Sequence, residues 1–312
     1  MSVALILGQR QTAYDPADLI RLHAEQPRLQ AAYAQAATAT GYDLEKILHN
    51  RGERESERRA VASVGLAAAM IGLHDVLLDR GIEPVAIGGM SLGFMVSCAL
   101  AGSIDRDDLY RLLADAELGD EADPAARAQG CVGAVVPVDR DFESLYGDHG
   151  DDVWVAADFG MHESGAFRML LLAGYRDALD AVAARVPEGY VLVSDEILAP
   201  HCPLRAHVAE LLARRLETLT ITDPSVRLAS CLEQGLLRTS AEVIDALVRN
   251  IVAPVHLDYL TGEMVAHGAR HGIVLGPTLP KVFEFPFPVD YLDSPESLDR
   301  LGALAPTAGA SL

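Results

Sequence analysis

Gly89-Met90-Ser91-Leu92-Gly93 is a GxSxG pentapeptide. A serine hydroxyl becomes a useful nucleophile only when a base takes its proton, and a GxSxG serine on a sharp strand-to-helix turn presents its Oγ beside the amide donors of a helix N-terminus. The chemistry on offer is attack on an activated carbonyl and formation of an acyl-serine. Small residues at a strand-to-helix turn also serve packing, so a tight structural turn is the competing reading. The flanks decide between them: Val85-Ala86-Ile87-Gly88 reads as a buried strand following the breaker Pro84, and 92–100 has helical composition. The pentapeptide therefore lies where a nucleophile elbow must lie.

The serine needs a base, and the chain has 10 histidines. His201 stands out within Leu198-Ala199-Pro200-His201-Cys202-Pro203-Leu204, a loop ahead of a helix that can present an imidazole to a cleft. Spacing alone does not choose it over the others.

Around these residues the hydropathy pattern alternates strand and helix. Val3 to Leu7 is a short apolar run broken by Gly8, as expected of a buried parallel strand. Helical stretches are expected over 18–48 and 58–80, the second with a near-continuous apolar face, and another over 107–116. The acidic, alanine-rich stretch 118–129 marks a composition shift. Beyond it, strands near 132–138, 153–157, 167–173 and 190–193 with a helix over 175–185 suggest a small inserted α+β unit. Helices over 207–219 and 241–251 follow, with strands at 226–229 and 273–275. This alternation implies a mostly parallel sheet covered by helices. The Pro-, Ser- and Asp-rich tail after Pro286 reads as wrapped or frayed rather than packed.

Composition excludes several classes. The 312 residues are 50% hydrophobic, enough for a large core. With 25 Lys and Arg against 45 Asp and Glu, the formal charge is -20, a field that repels nucleic acid and anionic lipid. Cys98, Cys131, Cys202 and Cys231 are far apart, without a CxxC pair or a histidine at zinc spacing, so neither a metal site nor a disulfide framework is indicated. No stretch reaches ~18 uninterrupted apolar residues, and the N-terminus lacks a basic region before its short apolar run. A cytoplasmic protein with no membrane partner is expected.

Several features occur in an order that resembles the malonyl-CoA:acyl carrier protein transacylases and the acyltransferase domains of polyketide synthases. These are the strand running into Gly8-Gln9-Arg10-Gln11, the pentapeptide followed by Ala99-Leu100-Ala101-Gly102-Ser103-Ile104-Asp105, and the His201-Cys202 loop. Arg249-Asn250 to Pro254-Val255 and the turn Gly276-Pro277 complete the series. The resemblance spans about Leu5 to Lys281. It implies an α/β fold with a hydrolase-like core (1–128 and 197–312) and an inserted ferredoxin-like α+β subdomain (129–196). It also implies Ser91 as nucleophile, His201 as general base, the main-chain carbonyl of Asn250 as orienter of the imidazole, and the amides of Gln9 and Leu92 as oxyanion hole. No bound cofactor is implied; the substrate is a thioester of CoA or phosphopantetheine, and the partners are acyl-CoA and an acyl carrier protein.

Three departures bear on the acyl group. Met90 replaces the histidine beside the nucleophile, Arg10 replaces a glycine in the first loop, and Ala116 aligns with the arginine that holds the malonyl carboxylate in malonyl-specific members. Arg111, five residues before Ala116, points about 140° away on a helix. With Arg10, Met90, Ala116 and Pro200 expected around the acyl pocket, the reading is a stand-alone transferase of a non-carboxylated acyl or aminoacyl group to a carrier-protein thiol, in polyketide or related secondary metabolism. An editing hydrolase and a divergent malonyltransferase are the alternatives. Carrier proteins are acidic, so docking on this acidic chain calls for a local basic patch; Arg205, Arg214 and Arg215 are candidates, with an ordinary solvated helix face as the competing reading.

Overall fold

Val3–Leu7 is buried along its whole length, as a strand covered on both faces must be. In the computed structural model, which describes residues 2–9, 15–118, 127–147, 150–194 and 196–302, this run is β1. It leads through α1 (Ala17–Glu25), α2 (Pro27–Thr40), α3 (Leu44–Leu48), α4 (Glu55–Asp79), β2 (Pro84–Gly89), α5 (Leu92–Leu100) and α6 (Arg106–Leu118). Next come β3 (Gln129–Pro137), α7 (Phe142–Tyr146), β4 (Val153–Met161), β5 (Phe167–Tyr175), α8 (Arg176–Ala183) and β6 (Val191–Val193). The chain continues with α9 (Ala206–Leu216), β7 (Leu228–Ala229), β8 (Leu236–Leu237), α10 (Ser240–Val252) and β9 (Val255–His256). It closes with α11 (Leu257–Ala266), β10 (His271–Leu275), β11 (Val289–Leu292) and α12 (Pro295–Gly302).

Two sheets organise the molecule. The larger has the order β11-β10-β1-β2-β7-β8, parallel except for the β7–β8 pair. The smaller has the order β6-β3-β5-β4-β9; its pairs are antiparallel except β4–β9. The fold is thus α/β with a mostly parallel core sheet. The strands between 129 and 193 build a βαββαβ unit, and β9 joins its sheet from far along the chain, a fifth strand that the local pattern did not announce.

The helical stretch expected over 18–48 is three helices. Pro27 opens α2 at its first turn, and Gly41, left-handed at φ 72°, closes it. The long α4 is the one described helix long and apolar enough to span a membrane, yet 89% of its apolar window is buried within the protein. It packs closely on α2: a Cβ at Gly72 would lie 2.8 Å from the Leu29 backbone.

The tail corrects the expectation of a frayed end. β11 pairs in parallel with β10, and Leu292, Leu298 and Leu301 are buried in the main core. A few well-spaced apolar residues suffice to dock a polar segment, which composition averaged over the tail conceals.

Candidate active site

Ser91 stands between β2 and α5 with φ 55° and ψ −119°, a left-handed conformation that costs a non-glycine residue roughly 1–3 kcal/mol. Tight packing enforces it. A Cβ at Gly93 would meet the Leu7 carbonyl oxygen at 2.2 Å, and one at Gly89 would lie 2.3 Å from the Gly93 backbone. The Met90 N–H donates to Leu7 O at 2.9 Å. The C-terminal end of β1 therefore presses directly on the elbow, and only glycines on either side of the serine permit the approach.

His201 is also left-handed, at φ 52°, and only 5% exposed. Its Nδ1 lies 2.5 Å from the main-chain oxygen of Asn250 in the last turn of α10. A carbonyl can only accept, so Nδ1 carries the proton and Nε2 keeps its lone pair. Burial pushes the imidazole down to about 4, against the opposing Asn250 hydrogen bond and with the help of the Arg205 charge. At neutral pH it is an uncharged base. Asn250 reaches the elbow too: its Nδ2 donates to Ser91 O at 3.3 Å.

Ser91, His201, Asn250, Gln9 and Leu92 all border one cavity of about 260 Å³. The loop carrying Gln9 is clamped from beyond β10. The Gly8 N–H donates to Thr278 Oγ1 at 3.0 Å, and that hydroxyl donates to Leu275 O at 2.9 Å. A Cβ at Gly8 would lie 2.2 Å from Thr278 O. Thr278 is thus a structural partner of the loop carrying Gln9 that sequence reasoning missed; the neighbouring Gly276-Pro277 turn was its only signal.

The cavity walls differ from the set expected around an acyl pocket. Pro200 lines the cavity. Met90 does not: it is fully buried in the main core, because the strained turn that points Ser91 to the cavity turns its predecessor away from it. Arg10 lies outside the described residues. Ala116 falls in the last turn of α6, and its side chain is likewise outside the description. Arg111 pairs with Asp108 at 2.9 Å and is not among the lining residues. Sequence reasoning overlooked Ser63 of α4, Leu171 of β5, and Ser194, Glu196 and Leu198, all of which border the cavity.

The three arginines offered for carrier docking separate. Arg205 is half-buried and lines the cavity itself. Arg214 pairs with Glu210 at 3.7 Å and Arg215 with Asp115 at 3.2 Å, so both stand beside acidic groups that offset their charge.

All four cysteines are buried free thiols. Burial pushes Cys131 up to about 11 and Cys231 to about 12, and Cys202 is raised for the same reason, so none is a thiolate competing with Ser91. Among the described residues no cluster of three or more His, Cys, Asp or Glu could hold a metal ion.

A strained serine and a buried neutral histidine border one cavity of an α/β fold with a mostly parallel core sheet. Known proteins share this fold. The chain is 24% identical over 264 residues to the malonyl CoA-acyl carrier protein transacylase of Escherichia coli K12, covering 83% of this chain and 84% of that protein. Among solved structures it superposes with a TM-score of 0.83 on a malonyl-transacylase in complex with its type II polyketide acyl carrier protein, at 20% identity, covering 97% of this chain and 100% of the other. The acyltransferase domain from the second module of the salinomycin polyketide synthase gives a TM-score of 0.76 at 22% identity, over 97% of this chain and 71% of that one. No family model matches the chain. Its homologues and structural neighbours are malonyl-CoA:acyl carrier protein transacylases and polyketide acyltransferase domains, and it has their fold.

Proposed function

We propose that the protein is an acyltransferase that carries an acyl group on Ser91 from a CoA or carrier-protein thioester to the phosphopantetheine thiol of an acyl carrier protein. The observation that carries this reading is that the strained Ser91 and a His201 whose tautomer is set by Asn250 O border one cavity. In acylation, Ser91 Oγ bonds to the thioester carbonyl carbon and gives its proton to His201 Nε2. Charge collects on the carbonyl oxygen, where the amides of Gln9 and Leu92 receive it. The C–S bond then breaks, and the imidazolium returns the proton to the departing thiolate. A carrier thiol reverses the sequence. Amides polarise the carbonyl and an imidazole moves the proton, so the chemistry calls for no metal or redox group.

The acyl group transferred is one without a free carboxylate. Apolar side chains such as Met95, Leu113 and Leu171 line the cavity together with the acidic Glu196, surroundings in which a second carboxylate is costly. One observation favours a divergent malonyltransferase instead: Arg205 also lines the cavity and could pair with a malonyl carboxylate. We place the reaction in the cytoplasm, in polyketide-type secondary metabolism, with 129–196 acting as a ferredoxin-like subdomain that roofs the site.

Intact-mass measurement after exposure to propionyl-CoA and malonyl-CoA tests the reading. A propionyl adduct on the Ser91 peptide, discharged by a carrier thiol and lost in Ser91→Ala, is expected. An adduct on a cysteine, full transfer by Ser91→Ala, or release only as free acid would overturn it, and preferential malonyl loading would establish the second reading.

A further inference from the structure

Past the end of β1 the peptide just before the Gln9 amide is held at both ends. Its oxygen, Leu7 O, accepts from the Met90 N–H of the elbow at 2.9 Å, and its N–H, that of Gly8, donates to Thr278 Oγ1 at 3.0 Å. The next peptide, which carries the Gln9 N–H, is confined by α5: a Cβ at Gly93 would lie 2.5 Å from Gly8 O. Each peptide is planar, so the direction of the Gln9 N–H is set by the torsions at Gly8 that join the two planes. Glycine prefers no direction of its own, and the surroundings have to impose one.

A side chain supplies the acceptor on the Thr278 side because the strand ladder cannot. β1 pairs with β10 from Val3–His271 to Ile6–Val274, and the Gly8 N–H is a donor just beyond that register. β10 ends at Leu275, and Gly276, left-handed at φ 71°, turns the chain away. Thr278 is fully buried. Its hydroxyl proton is committed to Leu275 O at 2.9 Å, which leaves the oxygen as acceptor for Gly8. The turn is anchored in its own right: the Thr278 N–H donates to Gly276 O and the Gly276 N–H to Leu292 O of β11, both at 2.9 Å. A buried Gly8 N–H deprived of this hydroxyl has to find another acceptor, and rotation at the glycine is the softest way to reach one.

Resting on the reading of the Gln9 amide as an oxyanion donor to the acyl-serine reaction, we propose that Thr278 is a positioning residue for acyl transfer: its hydroxyl sets the direction in which the Gln9 N–H meets the charge that develops on the thioester oxygen. It acts through the backbone of Gly8 and touches no reacting atom. Removing an oxyanion donor costs roughly 100- to 1000-fold in rate, and turning one aside should cost about 10- to 100-fold.

The test sets transition-state binding against ground-state binding in the full chain. The rate of Ser91 acylation is measured by rapid-quench intact mass with propionyl-CoA or malonyl-CoA, whichever loads the wild type faster. The affinity for a trifluoromethyl ketone on a pantetheine arm gives a second reading: Ser91 Oγ adds to its carbonyl carbon, the proton passes to His201 Nε2, and no bond to that carbon breaks, so the oxyanion persists. Free CoA, which lacks the acyl carbonyl, reports the rest of the site. Thr278→Val, close in shape and unable to accept, should lower the acylation rate and the ketone affinity together by about 10- to 100-fold, with CoA affinity within about twofold of the wild type. Thr278→Ser keeps the hydroxyl and should retain most of both. Thr278→Ala adds no volume and replaces the valine variant if that one does not fold; melting curves confirm that each protein is folded at the assay temperature. A hydroxyl-free variant with wild-type acylation, a serine variant as slow as the valine one, or a loss of CoA affinity equal to the loss of rate overturns this inference while leaving the acyl-serine reading standing. Failure of both thioesters to load Ser91 in the wild type overturns both.

Discussion

Acidifying the enzyme tests the burial of His201 in its chemistry and in its stability at once. An ordinary imidazole titrates at 6.5, and burial takes this one to about 4, a gap that corresponds to roughly 3 kcal/mol. The sign follows from which state takes up the proton. Between 6.5 and about 4 the unfolded chain binds it and the folded chain does not, so this contribution is fully present above 6.5 and is lost progressively as the pH falls toward 4. Urea unfolding at pH 7.5, 6 and 5 on wild type and His201→Asn isolates it, because asparagine tolerates the left-handed backbone and does not titrate, while the carboxylates that also titrate are common to both proteins. The wild type should lose more stability than the variant over this range, by an amount on the order of 1–2 kcal/mol at pH 5. The acylation rate measured by rapid quench with propionyl-CoA should stay level from pH 8 to 5 and fall by half only near pH 4, since the base remains unprotonated throughout. A half-rate near pH 6.5, or identical pH slopes for the two proteins, would refute the view that a desolvated neutral His201 is the base.

Two further perturbations probe the scaffold. Gly93→Ala places a methyl group 2.2 Å from Leu7 O; it should cost roughly 1–3 kcal/mol in urea unfolding and slow Ser91 acylation by more than about tenfold as the elbow shifts, and a variant with unchanged stability and rate would show that the close approach of β1 is unimportant. Leu298→Ala in α12 should cost roughly 2–5 kcal/mol by the same unfolding measurement, because Leu298 is buried against the main core; a loss within about 0.5 kcal/mol, the scale of a surface change, would mean that the tail does not contribute to the core.

The elbow was legible in the sequence because its requirements are local. A strand, a turn bounded by glycines and a helix N-terminus lie within a few residues, and each leaves a pattern. His201 could not be chosen from spacing, since Asn250, whose carbonyl accepts from the imidazole, reaches the Ser91 backbone across 159 positions; order of motifs, not geometry, pointed to it. Met90 shows the limit of adjacency. Being next to the nucleophile suggested the pocket, yet a strained turn sends successive side chains to opposite sides, and Met90 went to the core.

By itself the sequence determined the α/β alternation, the position of the serine on its strand-to-helix turn and the absence of spacings suited to a zinc or disulfide framework, all properties of residue type and short-range pattern. Only the tertiary structure decided that β9 joins the smaller sheet, that the polar tail supplies β11 and α12, and that Thr278 clamps the loop before Gln9. It also decided which charges border the cavity: Glu196 and Arg205 do, while Arg214 and Arg215 are drawn to Glu210 and Asp115. Charge totals and helix periodicity constrain how many ionisable groups a chain carries and on which face of a helix they lie. Which cavity they line depends on how distant elements pack, and that information resides in contacts between residues remote in sequence.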